Sequence, residues 1–320
     1  MSMATFAVCL LKPKGPLHLG EREGMREGTE TFVHSDTIFS ALCHSLYLLY
    51  GHQRLEQFLA LCQSDSAPLR LSSAFIFIGD DKSRQFYLPV PRNQIPRKKE
   101  EKKIQFVEKE EWERLLAGKG INEDTQRFKL PESKIKHEDV PGVSISRLTG
   151  TVQKEGGFFH TGLVWLKDAG LFFLYDVHPD WQLAFESAIR VMCDEGIGGY
   201  RSVGKGCFYQ PEFGQMEMEL PKGANGEIML SLYYPHNTEV ADIHLGYYEL
   251  LERKGYVYSP ANRSYRRKVV SLFAEGSVFP NNNRKGRLVD VTPESVAMPH
   301  RVYRNGLAFA LPCMLQPERG

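Results

Sequence analysis

The stretch Gly196-Ile-Gly-Gly-Tyr-Arg-Ser-Val-Gly-Lys-Gly206 constrains this chain most, because glycine fills five of its eleven positions. Without a Cβ, glycine enters positive φ freely and weakens any helix or strand, so this segment has to be a connection between elements. Arg201, Ser202 and Lys205 set two cations and a hydroxyl among the bare amides. That donor set suits a chain of phosphates. Gly199 to Gly206 reads G-x-x-x-x-G-K-G, one residue away from the phosphate loop of NTPases, but Gly206 stands where a Ser or Thr would hold magnesium. The flanks are also reversed. A helical pattern precedes the loop and the apolar run Cys207-Phe-Tyr209 follows it, whereas a phosphate loop runs from strand to helix. NTP hydrolysis is thereby set aside.

Upstream, both alternating sets of Thr5 to Leu11 are apolar, which predicts a strand covered on both faces. Asp36 is placed to cap a helix whose apolar residues Ile38, Phe39, Leu42, Cys43, Leu46 and Leu49 recur at three- and four-residue steps up to Gly51. Arg70 to Ile78 and Phe86 to Val90 read as strands. A charged insertion over about residues 92–150 is expected on the surface, its core the run Arg97-Lys-Lys-Glu-Glu-Lys-Lys103. Strands are predicted at Phe158 to Leu166 and Leu171 to Val177. A helix capped by Asp180 then buries Trp181, Ala184, Phe185, Ala188 and Met192 and ends at Gly196. The order β-α-β-β, insertion, α-β is ferredoxin-like. These patterns divide the chain into an N-terminal unit over 1–213, a linker rich in Pro and Gly over 214–226 and a C-terminal unit over 227–320, with Tyr247 to Lys254 expected to be helical.

A composition of 42% hydrophobic and 25% charged residues is that of a soluble globular protein. Phe6 to Leu11 is too short to span a bilayer and has no basic residue ahead of it, so neither a signal peptide nor a membrane anchor is expected, and the chain is expected in the cytoplasm. Six scattered cysteines without zinc or redox spacing read as free thiols. The formal charge of +1 hides an uneven distribution: between Arg253 and Arg304 stand eleven Lys and Arg against Glu275, Asp290 and Glu294. Tyr256, Tyr258, Tyr265 and Tyr303 interleave with those cations, as in a groove for single-stranded nucleic acid. No nucleophile with a base, carboxylate pair or metal cluster stands out. His18 and His34, beside loops, are the acid-base candidates for attack by a ribose 2′-OH, and they keep a metal-free endoribonuclease as the alternative function.

Six stretches run in order along nearly the whole chain: His34-Ser-Asp-Thr-Ile-Phe-Ser-Ala-Leu42, Lys102-Lys-Ile-Gln-Phe-Val107 ahead of a turn at Gly118, Arg147-Leu-Thr-Gly150, Gly198 to Gly206, Phe273-Ala-Glu-Gly-Ser277 and His300-Arg-Val-Tyr-Arg-Asn-Gly306. With them the sequence resembles the RAMP superfamily of CRISPR effector subunits, and within it the subunit that caps the guide-RNA 5′ handle in type III-A (Csm) complexes. The glycine loop marks the superfamily, and the C-terminal pieces point to the subunit. The resemblance implies an α+β fold of two ferredoxin-like (RRM-like) βαββαβ halves and a groove for the handle. It further implies docking onto a large polymerase/cyclase-like subunit and an adjacent backbone RAMP subunit, a role in antiviral defence, and no catalysis, cofactor or metal in this chain. By matching motifs, Gly198, Gly199, Arg201, Ser202, Gly204, Lys205 and Gly206 would approach RNA, with His18, Ser35 and Arg147 nearby. The residue types add Tyr200, Arg266 and Lys268. The insertion resembles the family's thumb-like segment.

Overall fold

A strand apolar on both sides belongs in the middle of a covered sheet, and β1 (Ser2–Leu11) lies there, with Val8 to Leu11 all buried. The computed structural model describes residues 1–20, 29–81, 83–94, 104–121, 124–152, 157–257, 265–294 and 298–315; the run 97–103, Tyr258 and Arg263 fall outside them. Helix α1 (Ser35–Cys62) follows, then β2 (Leu69–Leu71), β3 (Phe75–Ile78), β4 (Gln85–Pro89), β5 (Phe106–Glu108) and helix α2 (Lys109–Leu116). A long ribbon of β6 (Ile135–Val143) and β7 (Phe158–Leu166) precedes β8 (Ala169–Val177), helix α3 (Pro179–Glu195) and β9 (Glu212–Leu220). The antiparallel sheet runs β5-β4-β3-β8-β1-β9, with β2 also paired to β8. The fold is α+β.

Both long helices are capped two residues ahead of their expected caps. His34, not Asp36, is the N-cap of α1, and the helix passes through Gly51, which bends it at φ 77°, to end at Cys62. His178, not Asp180, caps α3, its Nδ1 accepting the Asp180 amide at 3.3 Å. The predicted stripe of α3 is buried as its spacing requires, and Gly196 closes the helix at φ 83°.

The expected linker and the expected insertion both differ from the structure. The expected linker is largely strand: β9 pairs with β1 from Ser2–Leu220 to Leu10–Glu212, burying Met216, Met218 and Leu220 between exposed glutamates. The insertion is not a surface appendage as a whole. Its β5 extends the main sheet, and α2 buries Trp112, Leu115 and Leu116, with the Trp112 indole donating to the Pro89 carbonyl at 2.8 Å. Among the described residues of the insertion, the β6–β7 ribbon is the exposed part, carrying Ile145, Phe158 and a 98% exposed Leu148 towards its tip.

The C-terminal unit contains β10 (Gly226–Met229), β11 (Leu250–Arg253), β12 (Val270–Phe273), β13 (Val278–Pro280), β14 (Val289–Asp290), β15 (Tyr303–Arg304) and β16 (Ala310–Cys313). They form a three-stranded sheet, β13-β10-β16, and two strand pairs, β11-β12 and β14-β15. The region expected as a helix at Tyr247 to Lys254 instead carries the strand β11, and no α-helix occurs after Glu195 among the described residues, so a second βαββαβ unit is not what this half shows. Its Ile228, Leu230, Val278, Leu288, Leu307, Phe309 and Leu311 join the same apolar core as β1, α1 and α3. All six cysteines are free.

Because Trp112 fills the core whereas Leu148 stands in solvent, Trp112→Ala should cost about 3–5 kcal/mol and Leu148→Ser no more than about 0.5 kcal/mol. Denaturant midpoints of the two variants check this. Equal midpoints would show that α2 is not part of the core.

Candidate nucleic-acid interface

The glycine loop is fastened onto residues 12–18. The amides of Gly199 and Gly206 donate to the carbonyls of His18 (2.9 Å) and Pro16 (3.1 Å), and Lys14 and Tyr209 amides donate back across the pair to Cys207 and Lys12. Glycine is required where the two strands of chain touch: at Gly198 (φ 87°) a Cβ would strike the His18 carbonyl, and at Gly206 (φ 73°) that of Ile197. The expectation of bare amides is thus corrected, because those of Ile197, Gly199, Gly204, Lys205 and Gly206 are all spent on the protein's own carbonyls. Tyr200 is left-handed (φ 57°), a backbone state that costs a non-glycine residue about 1–3 kcal/mol. Its hydroxyl, 3.2 Å from Thr161 Oγ1, and its ring, edge-on to His18, hold it there.

A cleft of about 210 Å³ opens beside this loop. Gly196, Ile197, Gly198 and Arg201 form one wall, the first turns of α1 (Asp36, Thr37, Ser40, Ala41, His44) another, and Arg253, Lys254, Arg267 and Arg304 the third. The loop and the basic C-terminal region therefore meet. Arg267 comes from the hairpin that continues β11 and β12 through the Tyr256–Arg266 bridge, and its Nε donates to the Tyr256 carbonyl at 2.9 Å. Lys254 is paired to Glu252 at 2.6 Å.

The floor is a buried ionic seam between the two halves. Asp36, with no exposed side-chain surface, accepts two hydrogen bonds from Arg253 at 3.0 Å each and another from Arg304. Burial alone would raise its pKa, but the two guanidiniums hold it far below the usual carboxylate range. Beside it His34 sits between Glu275 (Nδ1 to Oε1, 2.8 Å) and Glu30 (Nε2 to Oε2, 2.8 Å). Burial, and then Arg253, act to lower the His34 pKa; the Glu275 charge and the hydrogen bonds to Glu275 and Glu30 outweigh them and push it to about 9. Ser73 donates to the same Glu275 oxygen.

Residues 222–313 match the family model of the CRISPR Csm4 C-terminal domain. A relative from Methanocaldococcus jannaschii, described as CRISPR system Cms protein Csm4, is 26% identical over 97% of this chain and 98% of its own. The family match covers residues 222–313, and the similarity to a Csm4 protein runs along nearly the whole chain. Among solved structures, a chain of the Csm1-Csm4 cassette in complex with pppApA matches at TM-score 0.64 and 22% identity, over 98% of this chain and 100% of that one. A chain of the Csm3-Csm4 subcomplex of the type III-A interference complex matches at 0.63 and 20%, over 96% and 99%. At these identities the likeness speaks for the fold. Together these findings identify a type III CRISPR effector subunit of the RAMP type.

The expected site residues fare unequally. Gly198 and Arg201 line the cleft; Gly199, Tyr200, Ser202, Gly204, Lys205 and Gly206 are in the loop but not in its wall. His18 is buried behind the loop, with Nδ1 2.7 Å from the Gly162 carbonyl. Ser35 is fully buried, its hydroxyl accepting the Leu232 amide at 3.0 Å, so it ties the halves together and is out of reach of a ligand. Arg147 lies in the turn beyond the last ribbon pair, Val143–Phe158, and away from the point where Thr161 meets Tyr200. Arg266 lies over the Tyr256 ring and Lys268 pairs with Glu294 at 2.8 Å, while Arg267 between them faces the cleft. Arg253, Lys254, Arg267 and Arg304 were visible only as a basic region. A strand's period of two was the available signal that Arg267 faces opposite to its neighbours.

A histidine whose pKa rises from 6.5 to about 9 on folding stabilises the folded state fully below pH 6.5 and loses that contribution as pH climbs through 9. Between these limits unfolding free energy should fall by ~3 kcal/mol in the native chain and stay flatter in His34→Gln. Urea titrations at successive pH values check this, and parallel curves for the two proteins would refute the seam's charge state.

Proposed function

We propose that this subunit holds the 5′ handle of a guide RNA without cutting it, and that it docks onto the large polymerase/cyclase-like subunit and an adjacent backbone RAMP subunit. The observation that carries the RNA part is the cleft in which Arg201, Lys254 and Arg267 converge beside the glycine loop. Phosphates are bound by such clusters, and cations outnumber the single carboxylate, which is itself neutralised by Arg253 and Arg304. The cleft walls bring cations rather than bare amides to the strand. Solved assemblies that pair Csm4 with Csm1 or Csm3 support the docking reading.

The endoribonuclease alternative needs a histidine that can take a proton from a 2′-OH. His34 is buried and protonated at neutral pH, so it has no lone pair to offer, and His18 is buried with one ring nitrogen held by a backbone carbonyl. Both features favour the non-catalytic reading.

Labelled repeat-containing RNA, incubated with and without Mg²⁺, should show salt-sensitive binding by anisotropy and stay intact on a denaturing gel. Arg201→Ala combined with Arg267→Ala should weaken binding and flatten the slope of log K against log salt by about 1.4, at roughly 0.7 per phosphate contact. An unchanged slope would remove the cleft from the interface. A discrete metal-independent cut lost in His34→Gln would make the chain a processing enzyme.

A further inference from the structure

A cavity of about 290 Å³ opens where the end of α1 meets two loops of the C-terminal unit, and it shares no lining residue with the basic cleft. Three cations line it: Arg70 from β2, Lys285 and Arg287. Arg70 reaches from one half to the other, its Nη1 donating to the carbonyls of Lys285 (2.8 Å) and Ala308 (3.1 Å). A guanidinium carries five N–H donors, so Nε and Nη2 keep three for the cavities that Arg70 lines on either side. Among the described residues no carboxylate touches it. Burial lowers its pKa, and Asp176, its cross-strand neighbour on β8, and Glu239 oppose this only from a distance.

Arg287 lies over the Tyr234 ring at 5.0 Å and likewise meets no carboxylate among the described residues. Lys285 has Asp65 at 3.7 Å, but Asp65 is 87% exposed, and such a pair is worth little in water. Glu239, the other acid of the wall, is spent within the protein: its oxygens accept the Tyr233 hydroxyl and the amides of His236, Lys285 and Gly286. Asn282 and the His236 ring are engaged too, with Asp242 and Thr238. A half-buried charge without a counter-charge is costly, and an anion set beside it recovers that cost. Phosphate suits this wall better than a carboxylate does, because it brings about two charges and three acceptor oxygens to three cations held on separate stretches of chain.

We propose that this cavity is a second anion site, built for a phosphate group that Arg70 grips and that Lys285 and Arg287 neutralise. A nucleic-acid strand or a free nucleotide can supply that phosphate. The site stands apart from the cleft, and its test disables the cleft first.

The full chain carrying Arg201→Ala and Arg267→Ala is titrated at low salt with inorganic phosphate, ATP and a uridine oligomer, and binding is read by calorimetry. One saturable site per chain should remain. Arg287→Ala added to that background should weaken it about tenfold, the loss expected of one charged hydrogen bond, and Arg70→Gln should remove it. Arg70 also joins the halves, so Arg287→Ala, whose side chain is exposed, keeps the test decisive should Arg70→Gln fail to fold. Tightest binding of the oligomer would assign the site to a strand, and tightest binding of ATP to a free nucleotide; either result supports a phosphate site. Absence of saturable binding by all three probes would overturn it, as would an affinity that neither substitution changes. Binding of poly-glutamate in place of the phosphate probes would also overturn it, leaving a surface for acidic protein segments.

Discussion

The Asp36 carboxylate, enclosed by Arg253 and Arg304, is the contact on which the arrangement of the two halves depends. A buried charge is tolerable only when paired, and removing one partner of such a pair costs about 3–5 kcal/mol. The N-terminal unit therefore presents, at the start of its first helix, a group that only the C-terminal unit can satisfy. His34 with Glu275, Ser35 with Leu232 and Ser73 with both Glu275 and the Ser35 amide extend the same seam. The apolar core is continuous across it. Since Arg253 and Arg304 also face the cleft, the pairing that joins the halves fixes the cleft's walls as well.

Three stretches that carry the family resemblance meet in this seam: His34 to Asp36, Glu275 of the Phe273–Ser277 stretch and Arg304 of the His300–Gly306 stretch. Ser35 was expected near RNA because it belongs to one of them, yet its hydroxyl is used within the protein. A motif shared across a family records whatever cannot be exchanged, and a buried ion network is as hard to exchange as a ligand contact.

What could be read from the sequence followed how local the cause was. The cover of β1, the stripe of α3, the glycine at its end and the strands β7 and β8 depend on neighbouring residues, and they emerged from pattern alone. Around β9, Pro211, Gly214 and Pro221 outweighed the alternation of Met216, Met218 and Leu220 with glutamates, a strand signal that went unused. In α2 the charges surrounding Trp112 and Leu115 concealed a small buried face. Arg253 and Arg304, which pair Asp36, and Glu275, which pairs His34, lie more than two hundred residues away, and no local rule reaches that far. The cleft is assembled from such distant pieces, so its residue types were legible and its geometry was not.

The link from Arg304 to Asp36 spans 268 positions, and β16, which closes the second sheet, comes still later in the chain. Contacts this remote form late, because loop closure must precede any gain from them. During synthesis the first helix, with its unpaired Asp36, has to wait for the last strands to arrive. A growing chain thus has no assembled basic cleft until Arg304 has been added.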